Sequence, residues 1–158
     1  MEGWFLDSNP ALYTAGKSDG NYNGKPVFYI RAINRIDSGF GSIAKNVSPR
    51  DYLEKRIKLT GNIKVNSIYG STGMWMRVDG GPPGRSYYGS TLSFDNMRDR
   101  IITETTEWKK YEIVLNVPKE SRMIFFGLYI KGYGEVSISD FSVEVVGNDV
   151  PTTGNLQN

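Results

Sequence analysis

Along residues 56–65 apolar and polar side chains alternate: Ile57, Leu59, Ile63 and Val65 fall on one side, Arg56, Lys58, Thr60, Asn62 and Lys64 on the other. A period of two is that of a β-strand, whose successive side chains face opposite ways. A strand with one apolar and one polar face belongs to an antiparallel sheet that covers a core on one side and meets water on the other. Residues 72–79 repeat the pattern, with Met74, Met76 and Val78 set against Trp75, Arg77 and Asp79. Further strands are predicted at 4–6, 27–33, 41–47, 111–117, 123–131 and 135–146. One helical turn is predicted at 48–53, where Ser48 can cap and Pro49 suits the first helical position. In the last strand the apolar positions switch from even (Val136, Ile138) to odd (Phe141, Val143, Val145), as a β-bulge near Ser139 and Asp140 would require. Many short strands punctuated by turn residues predict an all-β, two-sheet antiparallel sandwich of the jelly-roll kind. Residues 1–147 would form this single domain, and 148–158 a flexible tail.

The 158 residues include no cysteine and no histidine. Disulfides, thiol nucleophiles, histidine acid–base chemistry and ordinary zinc sites are therefore excluded. No cofactor is expected. A structural Ca²⁺ at Asp140, with Glu2 or Asp7, is the weak candidate, since such an ion takes oxygen ligands. Nineteen basic and seventeen acidic residues leave a net charge of +2 without a basic cluster, which argues against nucleic acid as a partner. No run approaches the ~20 apolar residues of a membrane span. Residues 1–20 lack the basic-then-apolar pattern of a signal peptide, so a cytoplasmic chain without membrane association is expected.

Several segments occur in a telling order: Asn23-Gly24-Lys25, Trp75-Met76-Arg77-Val78-Asp79, Phe94-Asp95-Asn96-Met97, Thr105-Thr106-Glu107-Trp108 and the run 111–118. Phe126-Gly127 and Ile138-Ser139-Asp140-Phe141 follow. Together they resemble a bacterial carbohydrate-binding-type jelly-roll (galactose-binding-like) module, of the kind appended to bacterial regulators and hydrolases, over residues 3–151. The resemblance implies a domain that binds a ligand without transforming it. Two departures stand out. Members of that group usually carry two acids where this chain has Ser139-Asp140, and the Gly80–Gly89 insertion is longer and richer in glycine and proline.

Opposite the core, Trp75, Arg77 and Asp79 share one strand face, and Tyr29, Arg31, Phe125, Tyr129 and Lys131 take the non-core faces of two other strands. On a concave sheet they would line a groove, with an aromatic plane for the C–H face of a sugar and Arg and Asp for its hydroxyls. The competing reading has Trp75 covered by a loop or by the Gly80–Gly89 insertion. Asp95 and Asn96, next to Asp99 and Arg100, either sit at the rim of the ligand site or do turn chemistry that holds Arg100. Glycoside hydrolysis would need a pair drawn from Asp79, Asp95, Asp99 and Glu104. Ser90, Ser93 and Ser137 have no histidine to activate them. The sequence thus points to a non-catalytic module for a carbohydrate or similar polyhydroxylated small molecule. The alternatives are a regulatory small-molecule sensor and an interaction domain with a protein partner or homo-oligomer; a glycoside-processing enzyme is the weaker one.

Overall fold

The structure, a computed structural model, describes residues 3–36, 38–81 and 90–154. Its strands are β1 (Phe5–Leu6), β2 (Tyr13–Tyr22), β3 (Lys25–Ala32), β4 (Phe40–Val47), β5 (Lys55–Asp79), β6 (Thr91–Asp95), β7 (Thr106–Val117) and β8 (Met123–Val146). All pairings between them are antiparallel. No helix occurs among the described residues. The turn expected at 48–53 is present: Arg50 N donates to Ser48 Oγ at 3.2 Å and Tyr52 N to the Pro49 carbonyl at 2.8 Å. Among the described residues no helix is long and apolar enough to cross a membrane.

The architecture rests on β5 and β8, of 25 and 24 residues. The alternating runs 56–65 and 72–79, expected as separate strands, are one continuous strand, and so are 123–131 and 135–146. β5 and β8 pair from Arg56↔Val146 to Asp79↔Met123 and pass through both layers of the sandwich. One layer runs β1–β4–β8–β5–β6, using the first part of β8 and the second part of β5. The other runs β2–β3–β8–β5–β7, using the remaining parts. The eight strands are therefore one curled sheet closed face to face on itself. At the crossing, Gly70 (φ 130°) and Gly132 (φ 90°) lie against each other's strand, and a Cβ on either would come within about 2 Å of a carbonyl oxygen opposite. Only glycine fits such a bend.

Ile57, Leu59, Ile63 and Val65 from one layer and Met74, Met76 and Val78 from the other meet in a single core, as the alternation predicts. Ile43, Ile113, Leu115, Ile124, Leu128 and Ile138 are among the other residues buried in it. Full burial of such a side chain is worth ~1.5–3 kcal/mol. The expected bulge also forms: Thr60↔Ser142 is followed by Asn62↔Ser139, so Asp140 and Phe141 oppose Gly61 alone, and Asp140 takes φ 54°. That extra residue moves Phe141 and Val143 back onto the core side.

After Gly147 the polar segment, expected as a flexible tail, is hydrogen-bonded to the sandwich over part of its described length. Arg56 Nη1 donates to the carbonyls of Asn148 and Val150 at 2.9 and 2.6 Å, and Thr153 pairs with Val114. Of the Gly80–Gly89 insertion, residues 82–89 lie outside the described residues.

Candidate functional site

Cross-strand register sets which side chains share the outer face of the first layer. Phe40, Lys131 and Ser71 form one row, then Ser42, Tyr129 and Gly73, then Ala44, Gly127 and Trp75, then Asn46, Phe125, Arg77 and Phe94. Directly opposed side chains on such a face are in contact range. The glycines seat the aromatics. Tyr129 lies over Gly73, where a Cβ would be 3.0 Å from its hydroxyl, and donates that hydroxyl to the Asn96 carbonyl at 3.0 Å. Trp75 reaches the other way, past Gly127, and its Nε1 donates to Ser42 Oγ at 3.0 Å. Trp75, Tyr129 and Ala44, with Phe94 and Phe125 against them, make a second apolar cluster on the side of the sheet away from the main core.

Above this floor is a hollow of about 230 Å³ lined by Asp7, Phe40, Ser42, Trp75, Arg77, Phe94, Asn96, Tyr129 and Lys131. Five side chains expected from the sequence therefore converge: Trp75, Arg77, Tyr129, Lys131 and Asn96. Their exposure differs from expectation. Trp75 is 8% exposed and Tyr129 4%, so neither offers an open ring. The accessible aromatic is Phe40, 53% exposed, its ring 6.0 Å from that of Tyr129 and nearly parallel to it. Arg77 stands 5.1 Å above the Phe125 ring and 6.0 Å from that of Trp75. Within this lining Asn96 Oδ1 is buried and has no hydrogen-bond partner among the described residues.

Four expected residues do not line the hollow. Tyr29 and Arg31 lie on β3 in the other layer, where Arg31 packs over Tyr29 and pairs with Glu135 at 3.7 Å. Alternation told which face they take but not which layer β3 joins. Asp79 is fully buried beneath the face, and both its oxygens accept from Arg77 Nε at 2.9 and 3.0 Å. Burial pushes its carboxyl above the usual range, while Arg77 and Thr91 pull it down. Asp95 is buried too: Oδ1 accepts from Met97 N at 2.9 Å, and Oδ2 from Arg100 and Thr153, each at 2.7 Å. These bonds tie the turn after β6 to Arg100 and Thr153, and Asp95 itself is not among the lining residues. Asp7, Phe40, Ser42 and Phe94 are lining residues that sequence reasoning did not assign to the site. A signal existed for two of them, since Ser42 and Phe40 alternate with Ile43 and Gly41 on β4.

Asp140 lies elsewhere, in a hollow it shares with Lys25 and Lys45. Two ammonium groups there disfavour a cation, and no group of three or more acids that could hold a metal occurs among the described residues.

No family model matches the chain. A curated relative, the uncharacterized HTH-type transcriptional regulator YbfP of Bacillus subtilis (strain 168), is 36% identical over 156 residues, covering 97% of this chain. The chain spans about half, 51%, of that regulator's length. Among solved structures, the family 11 carbohydrate-binding module of cellulase Lic26A-Cel5E from Clostridium thermocellum superposes with a TM-score of 0.62 at 12% identity, over 92% of this chain and 88% of that one. The xylan-binding family 22 module of Xyn10C from Paenibacillus barcinonensis gives 0.60 at 14%, over 92% and 86%. At such identities the likeness concerns the fold. The chain has the β-sandwich fold of carbohydrate-binding modules, as the resemblance read from its sequence implied.

Proposed function

We propose that this domain is a non-catalytic carbohydrate-binding module that senses its ligand for a bacterial transcriptional regulator. The observation that carries the proposal is the hollow itself, a mostly apolar aromatic floor ringed by polar side chains. Phe40 supplies the exposed ring on which the C–H face of a sugar can lie, and Asp7, Ser42, Arg77 and Lys131 surround it with polar groups. The module fold and the regulator relative each support part of the reading.

Hydrolysis fits the site poorly. It needs two carboxylates flanking a bond, and among the described lining residues only Asp7 is an acid. As half of a regulator the domain would act in the cytoplasm and leave DNA contact to another domain, in keeping with its small net charge. A thermal-shift and calorimetric screen of neutral mono- and disaccharides tests this. At least one should raise the melting temperature. Phe40→Ala should weaken its binding by roughly 30-fold, the ~2 kcal/mol of a hot-spot aromatic, and barely move the melt of the free protein. A panel in which no sugar stabilises the fold, or a variant that binds like wild type, overturns it.

A further inference from the structure

The exposed aromatics of this layer do not stop at Phe40. Two residues beyond the Phe40–Lys131–Ser71 row, β5 and β8 bring Tyr69 opposite Tyr133. Their rings stack at 4.6 Å and 13°, and Tyr69 is 65% exposed. The bend at Gly70 and Gly132 holds them. Each glycine adjoins one of the tyrosines in sequence, and neither tolerates a Cβ. Arg35 lies 5.9 Å over Tyr133. A second hollow is lined by Ser38, Gly39, Phe40, Gly70, Lys131 and Gly132, of which Gly70 and Gly132 are the chain neighbours of Tyr69 and Tyr133. It adjoins the first at the shared side chains of Phe40 and Lys131. From the Trp75 row to the Tyr69 row is six residues, or ~20 Å along the strands, well beyond one pyranose ring.

We infer that Tyr69, backed by Tyr133, is a second sugar-stacking station, and that the domain takes a linear oligosaccharide laid along β5 and β8 from the hollow to the bend. This rests on the carbohydrate reading of the hollow. Tyr69 stays 65% exposed although it stacks on Tyr133, so ring surface remains available for a sugar. A floor of Gly70 and Gly132 also leaves room for a chain to pass between the two rings.

Isothermal titration with xylose through xylohexaose and glucose through cellohexaose tests the path. Wild type should gain at least tenfold in affinity between one or two rings and four. Tyr69→Ala should abolish that gain and leave the shortest binders unaffected, while Tyr69→Phe keeps it. Tyr69→Leu, which still covers Tyr133 but offers no flat ring, should behave like the alanine variant and guards against loss of fold. A flat length dependence in wild type, or one that survives in both the alanine and leucine variants, overturns the second station and leaves the hollow intact. If neither the series nor the mono- and disaccharide panel yields a binder, the carbohydrate reading falls as well.

Discussion

The indole N–H of Trp75 on β5 donates to the hydroxyl of Ser42 on β4, 3.0 Å away, across the intervening strand β8. The bond spans three strands and is buried at both ends. Ser42→Ala should therefore strand the indole donor and cost ~1–3 kcal/mol in urea unfolding. Trp75→Ala removes a nearly buried ring and should cost ~3–5 kcal/mol. A cost below about 1 kcal/mol for the tryptophan would contradict its burial, given that scale.

Tyr129 gives the domain an alkaline limit. Burial, with Asp95 nearby, raises its hydroxyl from 10.0 to about 12. Burial also raises Tyr13 and Tyr111. A folded pKa above the unfolded one means that the native state holds the proton more tightly. Its contribution is complete below pH 10 and is lost as pH climbs toward 12. Stability measured by denaturant titration should fall across that window. Tyr129→Phe should make the decline shallower, and an identical slope in the variant would rule the residue out as its source.

The segment after Gly147 should matter to stability. Thr153 Oγ1 donates to Asp95 and accepts from Val114 N, while its own N–H reaches the Val114 carbonyl. Thr153→Val keeps the shape but loses the hydroxyl's bonds to Asp95 and Val114, leaving Asp95 Oδ2 with Arg100 alone. A loss of ~1–3 kcal/mol is expected, read as a lower urea midpoint at unchanged m-value. No change in midpoint would mean that the segment is not docked in solution.

Much of the core could be read from alternation alone, because burial on one face leaves a period-two trace in Ile57 to Val65 and Met74 to Val78. The same trace placed Trp75 with Arg77 and Tyr129 with Lys131. It failed for Tyr29 and Arg31 because β8 serves both layers, and alternation says nothing about which part of it β3 joins. It also failed for Asp79, since an acid opposite the core reads as solvent-facing unless a partner such as Arg77 draws it under the surface. Asp95 lies in register with Met76, on the core-facing side, where Arg100 pairs with it. β2 was missed because 13–22 is rich in Gly, Ser and Asp, poor strand formers. Asn23-Gly24, with φ of 49° and 77°, was the available cue for a tight hairpin there.

Because β5 and β8 belong to both layers, the sandwich has no seam along which it could be divided. An interruption within either strand would break both layers at once, whereas the stretches joining β3 to β4 and β6 to β7 lie outside the shared pair. Connections of that kind are where chains best accept insertion and exchange. Phe40 follows the first of them and Asn96 opens the second. Part of the recognition surface, Phe40 and Asn96, is thus carried at the margins of the frame, and relatives could alter that part while Trp75, Arg77, Tyr129 and Lys131 stay fixed on the two long strands.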